Sequence, residues 1–304
     1  MTNASSLRRL ATLVCLTLAA ALPTRAELRL QDASGSEVVL PAPARRIVSL
    51  APHITELLFA AGAGDRVVGA VEYSNYPAAA RWLPRIGSYN ALDLEAIAAL
   101  RPDLAIAWRS GNREGHLDRL RALGIPLFVS EARDLGAVAD SLEMIGQLAG
   151  TGPTATQAAS AFRARRDRLR ASYAGQPPVP TFYQVWNTPL MTINDAHLIG
   201  DVLRLCGGHN VFGELAQLAP TINEEAVLAA DPEAIIASGM DEARPEWLDD
   251  WRRWSGMQAV RRGNLFFVPP DLLQRHTPRI LDGAEQVCRH LATARERRPA
   301  PGRD

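Results

Sequence analysis

The chain contains no lysine; all 33 of its basic residues are arginine. That absence excludes lysine Schiff-base chemistry and any phosphate-binding loop built around a lysine. An excess of one charge sign is also missing. Thirty-three basic against 33 acidic side chains give a formal net charge of zero, where a nucleic-acid binder carries a basic face. The sequence holds no G-x-S-x-G, H-E-x-x-H, C-x-x-C or G-K-[ST] motif, so the commonest nucleophile, zinc and phosphate signatures are absent. Its six histidines (His53, His116, His197, His209, His276, His290) show no i, i+4 pairing, and no metal site is expected. Past the N-terminus no stretch approaches 18 uninterrupted apolar residues.

What is present is a globular composition, 47% hydrophobic and 22% charged, over 304 residues. That length accommodates two domains with their own cores. At the N-terminus, Arg8 and Arg9 precede the apolar run Leu10 to Leu22, and Thr24-Arg25-Ala26 follows with small residues at both ends. This is the pattern of a cleavable export signal over residues 1–26, and the run is too short to span a bilayer core of about 30 Å. Cleavage removes Arg8, Arg9 and Arg25 and no acid, so the mature chain is expected to be slightly acidic, exported and soluble. Cys15 leaves with the signal. Cys206 and Cys288 remain, and in an oxidising compartment they form one disulfide or stay as two buried thiols.

Short apolar runs alternate with helical patterns through both halves. Arg46 to Leu50, Val67 to Val71, Leu104 to Trp108 and Leu127 to Val129 read as strands. Thr55 to Ala61, Leu94 to Leu100 and Leu117 to Leu123 read as helices between them. In the second half Thr181 to Val185, Ala234 to Ala237 and Leu265 to Val268 read as strands, with helices at Leu198 to Cys206 and Ile280 to Ala294. Such alternation predicts an α/β fold of two lobes, each a mainly parallel sheet flanked by helices. Thr154 to Tyr173 has neither Gly nor Pro and carries five arginines, so it reads as one long, solvated connecting helix. The expected division is an N-terminal lobe at 27–150, a connector at 151–175, a C-terminal lobe at 176–294 and a polar tail at 295–304.

One internal repeat spans the two lobes. Leu94 to Asp103 (LEAIAALRPD) parallels Glu224 to Glu233 (EEAVLAADPE), with Glu95 and Glu225 each seven residues before a proline that leads into a strand. A carboxylate in the first turn complements the helix dipole and explains either glutamate alone. Matched positions in two lobes point further, to a surface that presents two carboxylates to a partner carrying two arginines. Aromatics cluster at strand ends and turns: Tyr73, Tyr76, Tyr89, Trp108 and Trp186, with Asp271 and Arg275 after the last strand. Together they suit a concave site for a large, flat, partly polar ligand. His53, after the first strand, reads as a cap or loop residue.

The stretches RIVSLAPHITELLFAAG, VGAVEYSNYPAAA, LDLEAIAALRPDLAIAWRSGN, LRLCGGHNVF, EEAVLAADPEAII and DLLQRHTPRI resemble the periplasmic substrate-binding proteins of iron-complex and vitamin B12 importers, most closely the B12-binding branch. The resemblance implies two lobes joined by a rigid helix (the class III architecture), no catalysis and no cofactor. It implies a cobalamin or related corrinoid held in the cleft by Tyr73, Tyr89 and Trp108 from one lobe and Asp271 and Arg275 from the other. Glu95 and Glu225 would engage arginines of an ABC permease, and Cys206 and Cys288 would form the second lobe's disulfide; a monomer is expected. Two positions depart from the B12-binding pattern: Tyr89 and Ala219 stand where it has tryptophan. Trp186 is the candidate to replace the ring missing at Ala219. Haem or a ferric siderophore is the alternative ligand within the family. Outside it, the alternative is an enzyme using Asp271 and His276 as acid and base.

Overall fold

The computed structural model describes residues 27–239 and 243–299. The export signal read at 1–26 and the last five residues lie outside the described residues. The first lobe opens with an antiparallel hairpin, β1 (Leu28–Gln31) and β2 (Glu37–Leu40). It continues through β3 (Ile47–Ser49), α1 (Pro52–Ala60), β4 (Val67–Ala70), the small hairpin β5 (Gly87–Ser88) and β6 (Ala91–Leu92), and α2 (Leu94–Ala99). Then come β7 (Leu104–Trp108), α3 (Glu114–Ala122), β8 (Leu127–Ser130) and α4 (Leu135–Ala149). The connecting helix is α5 (Gly152–Tyr173).

The second lobe holds β9 (Val179–Gln184), the hairpin β10 (Trp186–Asn187) and β11 (Leu190–Met191), α6 (Leu198–Leu205), β12 (Gly208–Asn210) and α7 (Glu224–Ala230). It ends with β13 (Ala234–Ala237), α8 (Gln258–Arg261), β14 (Leu265–Phe267), α9 (Pro270–Leu273) and α10 (Ile280–Glu296). Each lobe is built on a four-stranded parallel sheet, ordered β4-β3-β7-β8 in one and β12-β9-β13-β14 in the other. The two orders are the same when strands are counted within each lobe. Helices cover both faces, so strands such as β7 and β13 are apolar throughout and buried.

The lobes are joined through a continuous core that runs from Ile47 and Leu104 through Leu142, Ala155 and Phe162 to Val179 and Ile236. α4 and α5 pack closely because Gly146 faces Ala155, where a Cβ would come within 2.2 Å of the alanine Cβ. The connector is therefore half-buried, not fully solvated: Ala155, Ala159 and Phe162 are its buried face. Its other faces carry ion pairs to both lobes. Arg163 reaches Glu143 of α4 at 2.8 Å, and Arg165 reaches Asp282 and Glu285 of α10, each at 2.7 Å. Exposed pairs stabilise little individually, but these fix the connector against both neighbours.

Cys206 and Cys288 are disulfide-bonded across 82 residues, which settles the two readings of that pair. Closing a loop of that length contributes about 4 kcal/mol in the chain-entropy account. α10 runs past its expected end at Ala294, and the start of the polar tail is docked. Arg295 donates to the carbonyls of Cys206 (2.8 Å), the C-cap of α6, and of Gly207 (3.1 Å), which also accepts from Val179 N. Arg298 pairs with the buried Glu233 at 2.7 Å.

Candidate ligand cleft and docking face

In an open parallel sheet, ligands bind beyond the carboxyl ends of the strands where the strand order reverses. In the first lobe that point lies between β3 and β7. β7 ends in Trp108, and α1 begins three residues after β3, so the switch point brings His53 against Trp108, ring centroids 5.1 Å apart and edge-on. His53 thus sits within the helix, buried, and makes no capping bond; ring packing, not capping, explains its place. Tyr89, from the β5–β6 turn, stands 5.8 Å from Trp108.

Asn112 holds this aromatic pair together. Its side-chain oxygen accepts from the Trp108 backbone N–H (2.7 Å), and its amide donates to the carbonyls of Leu50 (2.9 Å) and Tyr89 (2.6 Å). Gly111 is required beside it: a Cβ there would lie 1.9 Å from the indole ring. Trp108 Nε1 is buried with no protein partner.

Tyr73 lies in a turn after β4 with φ at 61°, and the residue is 73% exposed. A non-glycine residue seldom occupies this left-handed region, and the turn is anchored accordingly. The hydroxyls of Ser49, Thr55 and Ser74 form a buried chain at 2.8 and 3.0 Å beneath it. Arg85 donates to the carbonyls of Val71 and Ser74.

The second lobe meets these groups directly. His276 lies 5.4 Å from His53 and 6.1 Å from Trp108, and His197 lies 5.8 Å from His276. Asp271 and Arg275, expected to face the ligand, are ion-paired to each other at 2.8 Å. Arg275 is further committed to Glu56 across the lobe junction at 2.7 Å. Trp186 opens the β10–β11 hairpin. Its ring meets Trp247 at 6.4 Å, and the β10–β11 hairpin bonds the segment that carries Ala219: Ile222 N donates to Leu190 O and Thr192 N to Pro220 O.

Burial holds all three junction histidines neutral. It lowers His53 to about 3, helped by the Arg275 charge, and lowers His197 to about 4. His276 is also pushed well below its ordinary value, by burial first and then by His53 and His197. A histidine whose folded pKa is depressed takes its proton more readily in the unfolded chain. Its contribution to stability is therefore full above about pH 6.5 and is lost as the pH falls toward 4. We expect Tm to fall steadily between pH 6.5 and 4.5, with each histidine adding up to about 1.4 kcal/mol per pH unit to the slope. Calorimetry on the wild type and His276→Asn checks this; equal slopes for the two proteins would remove His276 from the account.

The repeated helices match to their caps. Asp93 caps α2 by accepting from Ala96 N, and Asn223 caps α7 by accepting from Ala226 N. Each helix leads into a residue of positive φ, Arg101 (45°) just after the α2 cap Leu100 and Asp231 (41°) as the cap of α7. Glu95 and Glu225 consequently occupy equivalent first-turn positions, and both are exposed. The lobes differ beside them, because Glu224 is ion-paired to Arg253, which lies over the Trp254 ring.

Among the described residues no group of three or more His, Cys, Asp or Glu side chains is placed to hold a metal ion. No described helix is long and apolar enough to cross a membrane.

Residues 47–272 match the periplasmic binding protein family, and the chain belongs to that family. Among known proteins it is 38% identical over 257 residues to a vitamin B12-binding protein of Vibrio cholerae, covering 84% of this chain and 92% of that one. The crystal structure of periplasmic vitamin B12-binding protein BtuF of Vibrio cholerae superposes with a TM-score of 0.77 at 37% identity, over 84% of this chain and 99% of that one. A periplasmic haem-binding protein from Pseudomonas aeruginosa shares the fold at 24% identity, with a TM-score of 0.71 over 84% and 95% of the two chains.

Not read as site residues from the sequence were Asn112, Glu56, Arg279 (paired to Glu56 at 2.7 Å), His197 and Trp247. Asn112 had a local signal, four residues after Trp108 in a Gly-Asn pair. The others act through contacts between distant segments.

Proposed function

We propose that this chain is an extracytoplasmic binding protein that delivers cobalamin or a related corrinoid to an ABC importer. The observation that carries the reading is the Tyr89–Trp108 pair at the switch point of a chain 38% identical to a vitamin B12-binding protein. A corrin is broad and apolar on its faces with amides at its rim, so flat rings and a few neutral donors suit it. The charges at the junction are balanced: Glu56 and Asp271 face Arg275 and Arg279. That balance favours a neutral, amide-rich ligand over an anionic ferric chelate, which needs unpaired arginines.

Trp186 supplies the second-lobe aromatic contact in this reading, since its hairpin is bonded to the segment holding Ala219. The connector's ties to both lobes limit closure to small movements. Glu95 and Glu225 dock the permease, and transport is powered by its ATPase. The acid–base alternative finds no support in the junction, because Asp271 pairs with Arg275 and not with His276.

Calorimetric titration of signal-free protein tests the reading. Cyanocobalamin is expected to bind one-to-one with an affinity of about 1 μM or tighter, near −8 kcal/mol. Hemin binding alone, with a tyrosinate-type spectrum from Tyr73 or Tyr89, would replace the corrinoid with haem.

A further inference from the structure

We propose that Glu56 is a positioning residue that fixes the ligand-facing Tyr73–Tyr76 turn of the first lobe by holding Arg275 and Arg279 of the second lobe against it. The inference rests on the reading of the lobe junction as the ligand cleft. Glu56 lies on α1 with its side chain only 2% exposed. Its Oε1 accepts from Arg275 Nη1 and Arg279 Nη2, both at 2.7 Å, and its Oε2 accepts from Arg279 Nε at 2.9 Å. Arg279 thus grips the carboxylate with both arms of its fork, the geometry that orders a guanidinium most firmly.

The two arginines then reach back to the turn. Arg275 Nη1 donates to Asn75 Oδ1 at 2.7 Å, and its Nη2 donates to the Tyr73 carbonyl at 3.1 Å. Arg279 lies over the Tyr76 ring, 3.9 Å from its centroid. Tyr73 is the residue in the left-handed region, so its backbone persists only while its neighbours over-determine it. From below, the Ser49–Thr55–Ser74 hydroxyls do this, and from the opposite lobe the Glu56-held arginines do. Glu56 neighbours Thr55 on the same helix, so one turn of α1 supplies both anchors. The exposed Tyr73 ring is thereby set by the lobe-to-lobe register and not by its own lobe alone.

Without the Glu56 charge Arg275 keeps its pair with Asp271, but both arginines lose the carboxylate they share, and a largely buried cation whose pairing is weakened rearranges or draws in water. The experiment compares the full mature chain with Glu56→Gln, measuring cyanocobalamin affinity and amide hydrogen exchange of residues 73–76. The proposal expects binding at least tenfold weaker and exchange at Ser74, Asn75 and Tyr76 at least tenfold faster, with β3 and β7 still protected. Glu56→Asp, which keeps the charge, is expected to recover part of both. Faster exchange with affinity within twofold would make the network a structural tie without effect on the ligand and overturn the proposal. Weaker binding with unchanged exchange would overturn it as well.

Should Glu56→Gln fail to fold, Asn75→Ala removes one acceptor of Arg275 from an exposed turn. It is expected to weaken binding about threefold and to speed the same exchange; no change in either contradicts the proposal. If the wild type binds no corrinoid, the functional reading fails and so does the ligand half of the proposal. The exchange comparison then still decides whether Glu56 sets the turn.

Discussion

Replacing Trp108 by alanine is expected to weaken corrinoid binding about 100-fold. An indole face covered by a ligand removes roughly 100 Å² of apolar surface from water, about 2.5 kcal/mol at 25 cal/mol per Å², close to two decades in affinity. The same loss is expected from Gly111→Ala, which deletes nothing. Its added Cβ would lie 1.9 to 2.5 Å from three indole atoms, so the ring must leave the place that Asn112 and Tyr89 define for it. Trp254→Ala is the control, because that ring lies beside Arg253 near the α7 tip. Titration of the three variants with cyanocobalamin checks the set. Trp108→Ala and Gly111→Ala binding like the wild type would take the Tyr89–Trp108 pair out of the site.

The second large effect separates transport from binding. Reversing both tip carboxylates, Glu95→Arg with Glu225→Arg, is expected to reduce ATP-driven uptake more than 100-fold and to leave ligand affinity within twofold. Both side chains are exposed and sit in the first turns of equivalently capped helices. Their replacement therefore removes no buried partner, though it sets a cation against the positive end of each helix. Opposing like charges across a docking surface costs several kcal/mol. Each single reversal is expected to cost less than the pair, since one lobe still engages. Uptake into proteoliposomes containing the importer reads the effect; undiminished uptake by the double variant would place the docking surface elsewhere.

Much of the scaffold is legible in the residues because both sheets are buried on both faces. Strands such as Leu104–Trp108 and Ala234–Ala237 are continuous apolar runs between polar helices, and burial leaves that pattern little freedom. The repeat of α2 and α7 is legible for a similar reason: caps, a first-turn carboxylate and a terminating proline are local requirements, met twice. α4 is absent from the sequence reading although its signal is local, in the spacing of Leu135, Val138, Leu142 and Ile145 between the cap Asp134 and Gly150 in the left-handed conformation.

The junction is a different matter. Glu56 and Arg275 are 219 residues apart, and His53, His197 and His276 share no spacing that marks them as neighbours. Their contacts exist only once two lobes are set face to face, so no local pattern announces them. The same holds for Arg275. As a residue after the last strand it reads as a cleft residue beside Asp271, and only the packed junction reveals the Glu56 carboxylate that it meets.

The most direct test of the central claim is a crystal structure of the mature chain grown with cyanocobalamin. The account predicts a corrinoid between the lobes, its ring against Tyr89 and Trp108, with Tyr73 on one side and the Glu56–Arg275–Arg279 network intact beneath. A corrinoid bound away from these residues, or an interlobe cleft without ligand at saturating concentration, would contradict it.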